Sequence, residues 1–229
     1  MEKAECEVNV CIVGSSGVGK SSLLKQAKYV FRGKNSVDQP PNITDIGNTL
    51  GLDLGFLITP MDGGKSLKIR VYDPPGSLNL FAVVKNLLNQ KNHVVILVFD
   101  LESRRSYQDV ETTWREEARA AVGGENGTIV LVGNKADSNN RQVTKEEGEA
   151  LRCDINAIHY FEVSAATGYN VKELFTEISN ISSRKITKLL LPSFYEETKK
   201  PDNPAPAPPP RQRKRDAVKR WFKKIFAKG

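Results

Sequence analysis

The chain has 229 residues, 39% hydrophobic and 27% charged, with a formal net charge of +7. That length fits one ordinary domain with something to spare, and the composition is too apolar for disorder throughout. The longest aliphatic or aromatic run, Val94 to Phe99, falls far short of the roughly 20 residues a membrane span needs. The opening Met1-Glu2-Lys3-Ala4-Glu5 lacks the basic-then-apolar order of a secretory signal, and three scattered cysteines (Cys6, Cys11, Cys153) argue against a disulfide framework or a zinc site. A cytosolic compartment is expected.

The elements follow in chain order from hydrophobic period. Glu7 to Val13 predicts a short apolar strand, followed by a helical stretch from Ser22 to Ala27. Leu50 to Ile58 and Leu67 to Tyr72 predict two strands joined by the turn-rich Met61-Asp62-Gly63-Gly64. Val94 to Phe99 and Thr128 to Val132 are continuous β-branched or aliphatic runs, as in strands buried on both faces of a parallel sheet. Between them Tyr107, Val110, Trp114, Ala118 and Ala121 recur every three or four residues and predict a helix. Thr144 with Glu147, and Asn170 with Glu173, predict helix-opening capping boxes either side of a sixth strand, His159 to Val163. Alternating strands and helices indicate an α/β domain with a mostly parallel sheet flanked by helices.

The chemistry begins where the first strand ends. Gly14-Ser15-Ser16-Gly17-Val18-Gly19-Lys20-Ser21 fits GxxxxGK[ST], between a strand and a helix that includes Ser22. Its glycines let the backbone curl so that N–H groups and a helix N-terminus point at phosphate. Lys20 would reach the β- and γ-phosphates and the Ser21 hydroxyl would bind Mg²⁺. The base is addressed by Asn134-Lys135-Ala136-Asp137, after the Thr128 to Val132 strand. A carboxylate accepts two hydrogen bonds, from N1–H and the 2-amino group of guanine, and adenine has no donors there. Asn134 can contact the N7 side and the Lys135 stem can cover the ring. Ser164-Ala165-Ala166 lie where backbone N–H groups could meet the guanine oxygen.

With these motifs in order, the chain resembles a small GTPase of the Ras superfamily over residues 8 to about 185, and its Asn48-Thr49-Leu50-Gly51-Leu52-Asp53 is most similar to Rab proteins. The resemblance implies a P-loop NTPase G domain with a six-stranded sheet, binding GTP, GDP and Mg²⁺. It implies that Thr49 closes over Mg²⁺ and the γ-phosphate, that Asp73 holds Mg²⁺ through water, and that the Gly76 N–H contacts the γ-phosphate. Phe31 or Tyr29 would stack on guanine. The family's weak GTP hydrolysis is implied too, with Lys20, Gly76 and the residue after it as the catalytic set.

Four departures qualify it. Ser77 stands where the family carries a water-orienting glutamine, so hydrolysis should be slower, or a partner supplies the missing group. Pro74 and Pro75 lack N–H groups and stiffen this second switch segment. A polar insert around Asn35 to Asn42 lengthens the first switch segment. Rab proteins usually end in prenylated cysteines, whereas the last cysteine here is Cys153.

The charge is the fourth departure's counterpart. Residues 201–229 hold nine Lys/Arg and two acids, a net of +7, so residues 1–200 are balanced. Pro201 to Pro210 favours polyproline II, as a spacer or as a PxxP ligand for an SH3-type groove. Beyond it Trp221, Phe222, Ile225 and Phe226 fall on one half of a helical wheel and Lys219, Arg220, Lys223 and Lys224 on the other. That pattern fits a helix on an anionic membrane surface or a calmodulin target. A nuclear-import signal and a solvated charge run remain open.

The expected organisation is a G domain over residues 1–192, a proline-rich linker over 193–210 and a basic amphipathic helix over 211–229. The expected function is a GTP/GDP switch in membrane traffic or signalling, with slow or partner-assisted hydrolysis; a GTP-holding adaptor is the alternative. Effectors and regulators would meet the switch regions of a monomer lying on the cytosolic face of a membrane, and no nucleic acid is expected.

Overall fold

The computed structural model describes residues 6–32, 41, 47, 49–60, 66–88, 94–122 and 127–190. The 61–64 turn after Pro60, nearly all of the insert around 35–42, the proline-rich linker and the basic tail lie outside the described residues. The chain divides into one compact unit, Met1–Ile186, and a second, Thr187–Gly229, of which only the end of the last helix is described.

Six strands form one sheet in the order β2-β3-β1-β4-β5-β6. They are β1 (Cys6–Val13), β2 (Asp53–Pro60), β3 (Ser66–Asp73), β4 (Val94–Asp100), β5 (Thr128–Asn134) and β6 (His159–Glu162). Only β2 runs antiparallel to its neighbour. The expected second strand starts three residues later than Leu50, and the register gives the reason. Asp53 pairs with Asp73, the last residue of β3, and the next partners in register would be Pro74 and Pro75, which have no N–H to donate, so the ladder ends at Asp53.

The pleat divides the core into two layers. Val8, Val10 and Ile12 of β1 with Val94, Ile96 and Val98 of β4 face α1 (Lys20–Val30) and α6 (Val171–Leu190), through Leu23, Leu24, Ala27, Leu174, Phe175 and Ile178. Cys11, Val13, Val95, Leu97 and Phe99 face the other way. They pack beneath α2 (Leu78–Leu88), α3 (Arg104–Asp109), α4 (Arg115–Ala121) and α5 (Lys145–Asp154). β4 is buried at every position, as its unbroken apolar run requires.

The predicted helix over Tyr107 to Ala121 is interrupted. α3 and α4 are joined by a π-helical turn, Val110–Trp114, where the Arg115 N–H reaches back five residues to Val110 O. α2 is not legible as a helix, because Leu78, Leu80 and Val83 are exposed while Phe81 is buried, so apolar residues surround its axis. The Thr144 capping box is present with both hydrogen bonds. The second box is not the one predicted: Asn170 sits at φ 56° and its side-chain amide donates to Glu162 O, 2.9 Å. Among the described residues no helix is long and apolar enough to cross a membrane.

Candidate functional site

Strand β1 lies between β3 and β4, so connections leave it in opposite directions and open a crevice at its carboxyl end. The chain enters that crevice as Gly14 to Gly19 and turns into α1. Gly19 caps the helix at φ 93° with no side-chain bond, leaving the first-turn N–H groups to whatever lies in front of them. A Cβ there would run into the Asn134 amide, so the position needs glycine on both counts.

Lys20 folds back over the loop. Its Nζ donates to Gly14 O (2.9 Å) and Ser15 O (3.0 Å), and the residue is only 6% exposed. Burial pushes its ammonium down to about 8, with Asp73 and Cys11 opposing the shift. Burial likewise raises the Asp73 carboxyl, against the Ser21 hydrogen bond and the Lys20 charge.

Three oxygen donors meet beside Lys20. Ser21 Oγ lies 2.9 Å from Thr49 Oγ1 and donates to Asp73 Oδ2 at 2.5 Å. Asp73 is fully buried, and its Oδ1 has no hydrogen-bond partner among the described residues. Two hydroxyls and a carboxylate with a free, buried lone pair suit a hard cation that keeps several waters, so the residues fit Mg²⁺. Among the described residues no group of three or more His, Cys, Asp or Glu side chains offers a richer metal site. Gly76 closes the crevice from above: a Cβ there would stand 2.6 Å from Ser16 N, so only glycine lets this segment touch the phosphate loop.

Lys20 lines a cleft of about 430 Å³ together with Asn134, Lys135, Asp137, Ala165 and Ala166. Ser16, Gly17, Gly19, Ser21, Ser22, Thr49 and Gly76 also reach it. Gly14, Ser15, Val18, Asp73 and Ser164 stand behind these lining residues. Val18 is in the core, and Ser164 is buried with its Oγ accepting from the Thr167 N–H, 3.0 Å.

Two expectations change. Phe31, the C-cap of α1, does not line the cleft; it packs against Phe175 at 6.5 Å in the edge-to-face arrangement that aromatic pairs favour. Tyr29 sits under the Arg32 guanidinium. Asn134 is 2% exposed, and its Nδ2 donates to Val18 O (2.8 Å) while its Oδ1 accepts from the Ala165 N–H (3.0 Å). Its amide ties the phosphate loop to the Ser164–Ala166 turn, which leaves at most one N–H for a base. The Lys135 head is held by Asp100 (2.6 Å) and Glu102 (3.4 Å). Burial works against its charge, but the two carboxylates prevail and hold its pKa above the usual lysine value.

Sequence reasoning misses Gly47, Glu102 and Ser138, which also line the cleft. Ser138 directly follows the Asn134–Asp137 motif and hydrogen-bonds Glu102; neither residue has a pattern of its own. Ser77 is absent from the cleft lining. It faces a neighbouring cavity of about 530 Å³ with Ser15, Ser16, Gly76, Arg105 and Asp109.

A doubly wound sheet with a lysine-closed glycine loop at its switch point defines a phosphate-loop nucleotide-binding domain. The chain belongs to the Ras family, which residues 9–184 match. It is similar to Ras-related protein SEC4 of Candida albicans, 33% identical over 180 residues that cover 78% of each chain. It is also 33% identical over 187 residues to Ras-related protein Rab-39A of Homo sapiens, covering 80% of this chain and 79% of that one. Ras-related protein RABC2b of Arabidopsis thaliana is 30% identical over 195 residues, 84% and 87% of the two chains. The protein is a Rab-like small GTPase of the Ras superfamily.

The Asn134 bridge sets a test. Asn134→Ala leaves Val18 O and the Ala165 N–H buried without partners, at about 1–3 kcal/mol each. Urea unfolding should show a loss of several kcal/mol, and loss below ~1 kcal/mol would refute the bridging role.

Proposed function

We propose that the chain is a guanine-nucleotide switch that hydrolyses GTP slowly or only with a partner's help. One observation carries the reading: a single cleft joins Lys20 and the uncapped start of α1 to Asp137. Phosphates would lie on the loop amides and Lys20, and Asp137 would accept from the two donors that guanine has and adenine lacks. Ser21, Thr49 and Asp73 would hold Mg²⁺, whose charge neutralises the β- and γ-phosphate oxygens. Thr49 and Gly76 would sense the γ-phosphate, so its loss releases both segments.

Ser77 decides how much chemistry follows. Its side chain is too short to hold a water where a glutamine would, which favours slow turnover and also keeps alive a second reading, a GTP-holding adaptor. Partners would read the exposed face of β2, where Leu54, Phe56 and Ile58 alternate outward just beyond Thr49. We place this switch in membrane traffic, on the cytosolic face of a membrane. Support for the last point is the sequence of the tail, basic on one side and aromatic on the other.

Asp137→Asn removes an acceptor for two charged hydrogen bonds and should weaken GDP binding about 10²- to 10⁴-fold while admitting xanthine nucleotides. Equal affinity of the unmutated chain for ATP and GTP would refute the guanine assignment.

Ser77→Gln should speed single-turnover hydrolysis about tenfold or more, a barrier change of at least about 1.4 kcal/mol, at unchanged nucleotide affinity. No acceleration would move the cause to the stiff Pro74-Pro75 pair.

The full chain should co-sediment with anionic vesicles at low salt, each Lys or Arg near the surface contributing ~1 kcal/mol. Replacing Trp221 and Phe222 by alanine should weaken binding at any salt. Failure to bind at low salt would end the membrane reading.

A further inference from the structure

The back of the phosphate loop carries a cluster that the nucleotide reading does not use. Ser15 Oγ donates to Asp109 Oδ2 at 2.8 Å and accepts from the Trp114 indole N–H at 2.9 Å. Asp109 ends α3 and Trp114 ends the π-helical turn, so both partners come from one helical segment. At 3.6 residues per turn, residues five apart in an α-helix point about 140° away from each other and do not converge on one atom. The π turn adds a residue to the turn and swings Trp114 round to the side of Asp109. The helical irregularity is what makes the cluster possible.

The same indole reaches a second element. Trp114 is 2% exposed and meets Phe81 of α2 edge-on, with ring centroids 5.3 Å apart. On its other side, the Ser15 carbonyl accepts from Lys20 Nζ. A chain of direct contacts therefore runs from α2 through Phe81, Trp114 and Ser15 to the lysine that closes the phosphate loop.

We propose that Asp109 and Trp114 are positioning residues that brace the phosphate loop through Ser15 and couple its shape to the placement of α2. The inference rests on the guanine-nucleotide reading above for its ligand. The hydroxyl of Ser15 has one proton and is fixed in direction by that donation, and the indole takes up a lone pair, so the side chain has a single orientation. Fixing it fixes the carbonyl that holds Lys20. Without the brace the loop samples conformations that do not grip phosphate, and nucleotide escapes through them.

The test is GDP release from the full-length chain, followed with a fluorescent GDP analogue. Asp109→Ala and Trp114→Phe should each speed release about tenfold, the worth of one hydrogen bond to a charged or buried group. Asp109→Asn keeps an acceptor oxygen and should restore a rate near that of the unmutated chain, which a merely structural role for the charge would not do. In a Ser15→Ala background, Asp109→Ala should add nothing, because the two act through one bond. With Trp221 replaced by phenylalanine, Trp114 is the sole indole, and its emission should differ between the GDP and non-hydrolysable GTP forms. Unchanged release in Asp109→Ala and Trp114→Phe, or an Asp109→Asn variant as fast as Asp109→Ala, overturns the brace. Identical emission in the two nucleotide forms overturns the coupling to α2. If the unmutated chain retains no guanine nucleotide, the earlier reading fails on its own. The brace is then judged by amide exchange over residues 14–19, which should quicken in Asp109→Ala and, if it does not, rejects it.

Discussion

A nearly buried ammonium organises this end of the molecule. An isolated charge removed from water is costly unless polar groups surround it, and Lys20 is surrounded by the carbonyls of Gly14 and Ser15 with Asp73 nearby. For those carbonyls to turn inward, the loop has to bend through left-handed conformations at Gly17 and Gly19. With carbonyls committed to the lysine, the remaining loop amides and the first turn of α1 are the groups left to face the cleft. Asp73 is then the natural neighbour for a cation, since β3 ends there and its carboxylate reaches Ser21 across the crevice. One burial thus selects the glycines, the strand end and the helix start together.

The sheet explains why these pieces coincide. Parallel strands β3, β1, β4, β5 and β6 all deliver their carboxyl ends to the same edge. Asp73, the phosphate loop, Asp100, Asn134 and the Ser164–Ala166 turn follow those ends in sequence. Asp100 and Asn134 pair directly in register, which sets Lys135 beside the Asp100 carboxylate. Side chains separated by dozens of residues meet because strand order, not local sequence, places them.

That is also where legibility in the sequence divides. Runs buried on both faces, such as β4, and glycine-lysine spacing around one helix start are local, so the strands and the phosphate loop are readable. So is the Asp137 wall, because its motif sits at a strand end. The bridging role of Asn134 is not, since it depends on Val18 O and the Ala165 N–H arriving from elsewhere. The Phe31 contact is not legible either, for the same reason: its edge contact with Phe175 joins the end of α1 to α6. The π turn escapes because its apolar positions still fit a three-or-four spacing. Glu102 and Ser138 carry no pattern; only the cleft brings them together.

The second switch segment has little freedom at its two ends. Pro74 and Pro75 are buried and have fixed φ, and Phe81, at 1% exposure, is wedged against Trp114. Between them lie Gly76, exposed Ser77 and the first turn of α2, whose Leu78 and Leu80 are exposed. A displacement larger than that short stretch allows must either withdraw Phe81, at about 1.5–3 kcal/mol of lost burial, or carry Trp114 with it. The first route sets an energy scale comparable to a few hydrogen bonds, the scale that the proposed contact with a γ-phosphate would have to supply. The second transmits the movement to Ser15, and so to Lys20. Either way the stiffness contributed by the proline pair concentrates the change at Gly76, which lines both the nucleotide cleft and its neighbouring cavity, and at Ser77, which lines only the second.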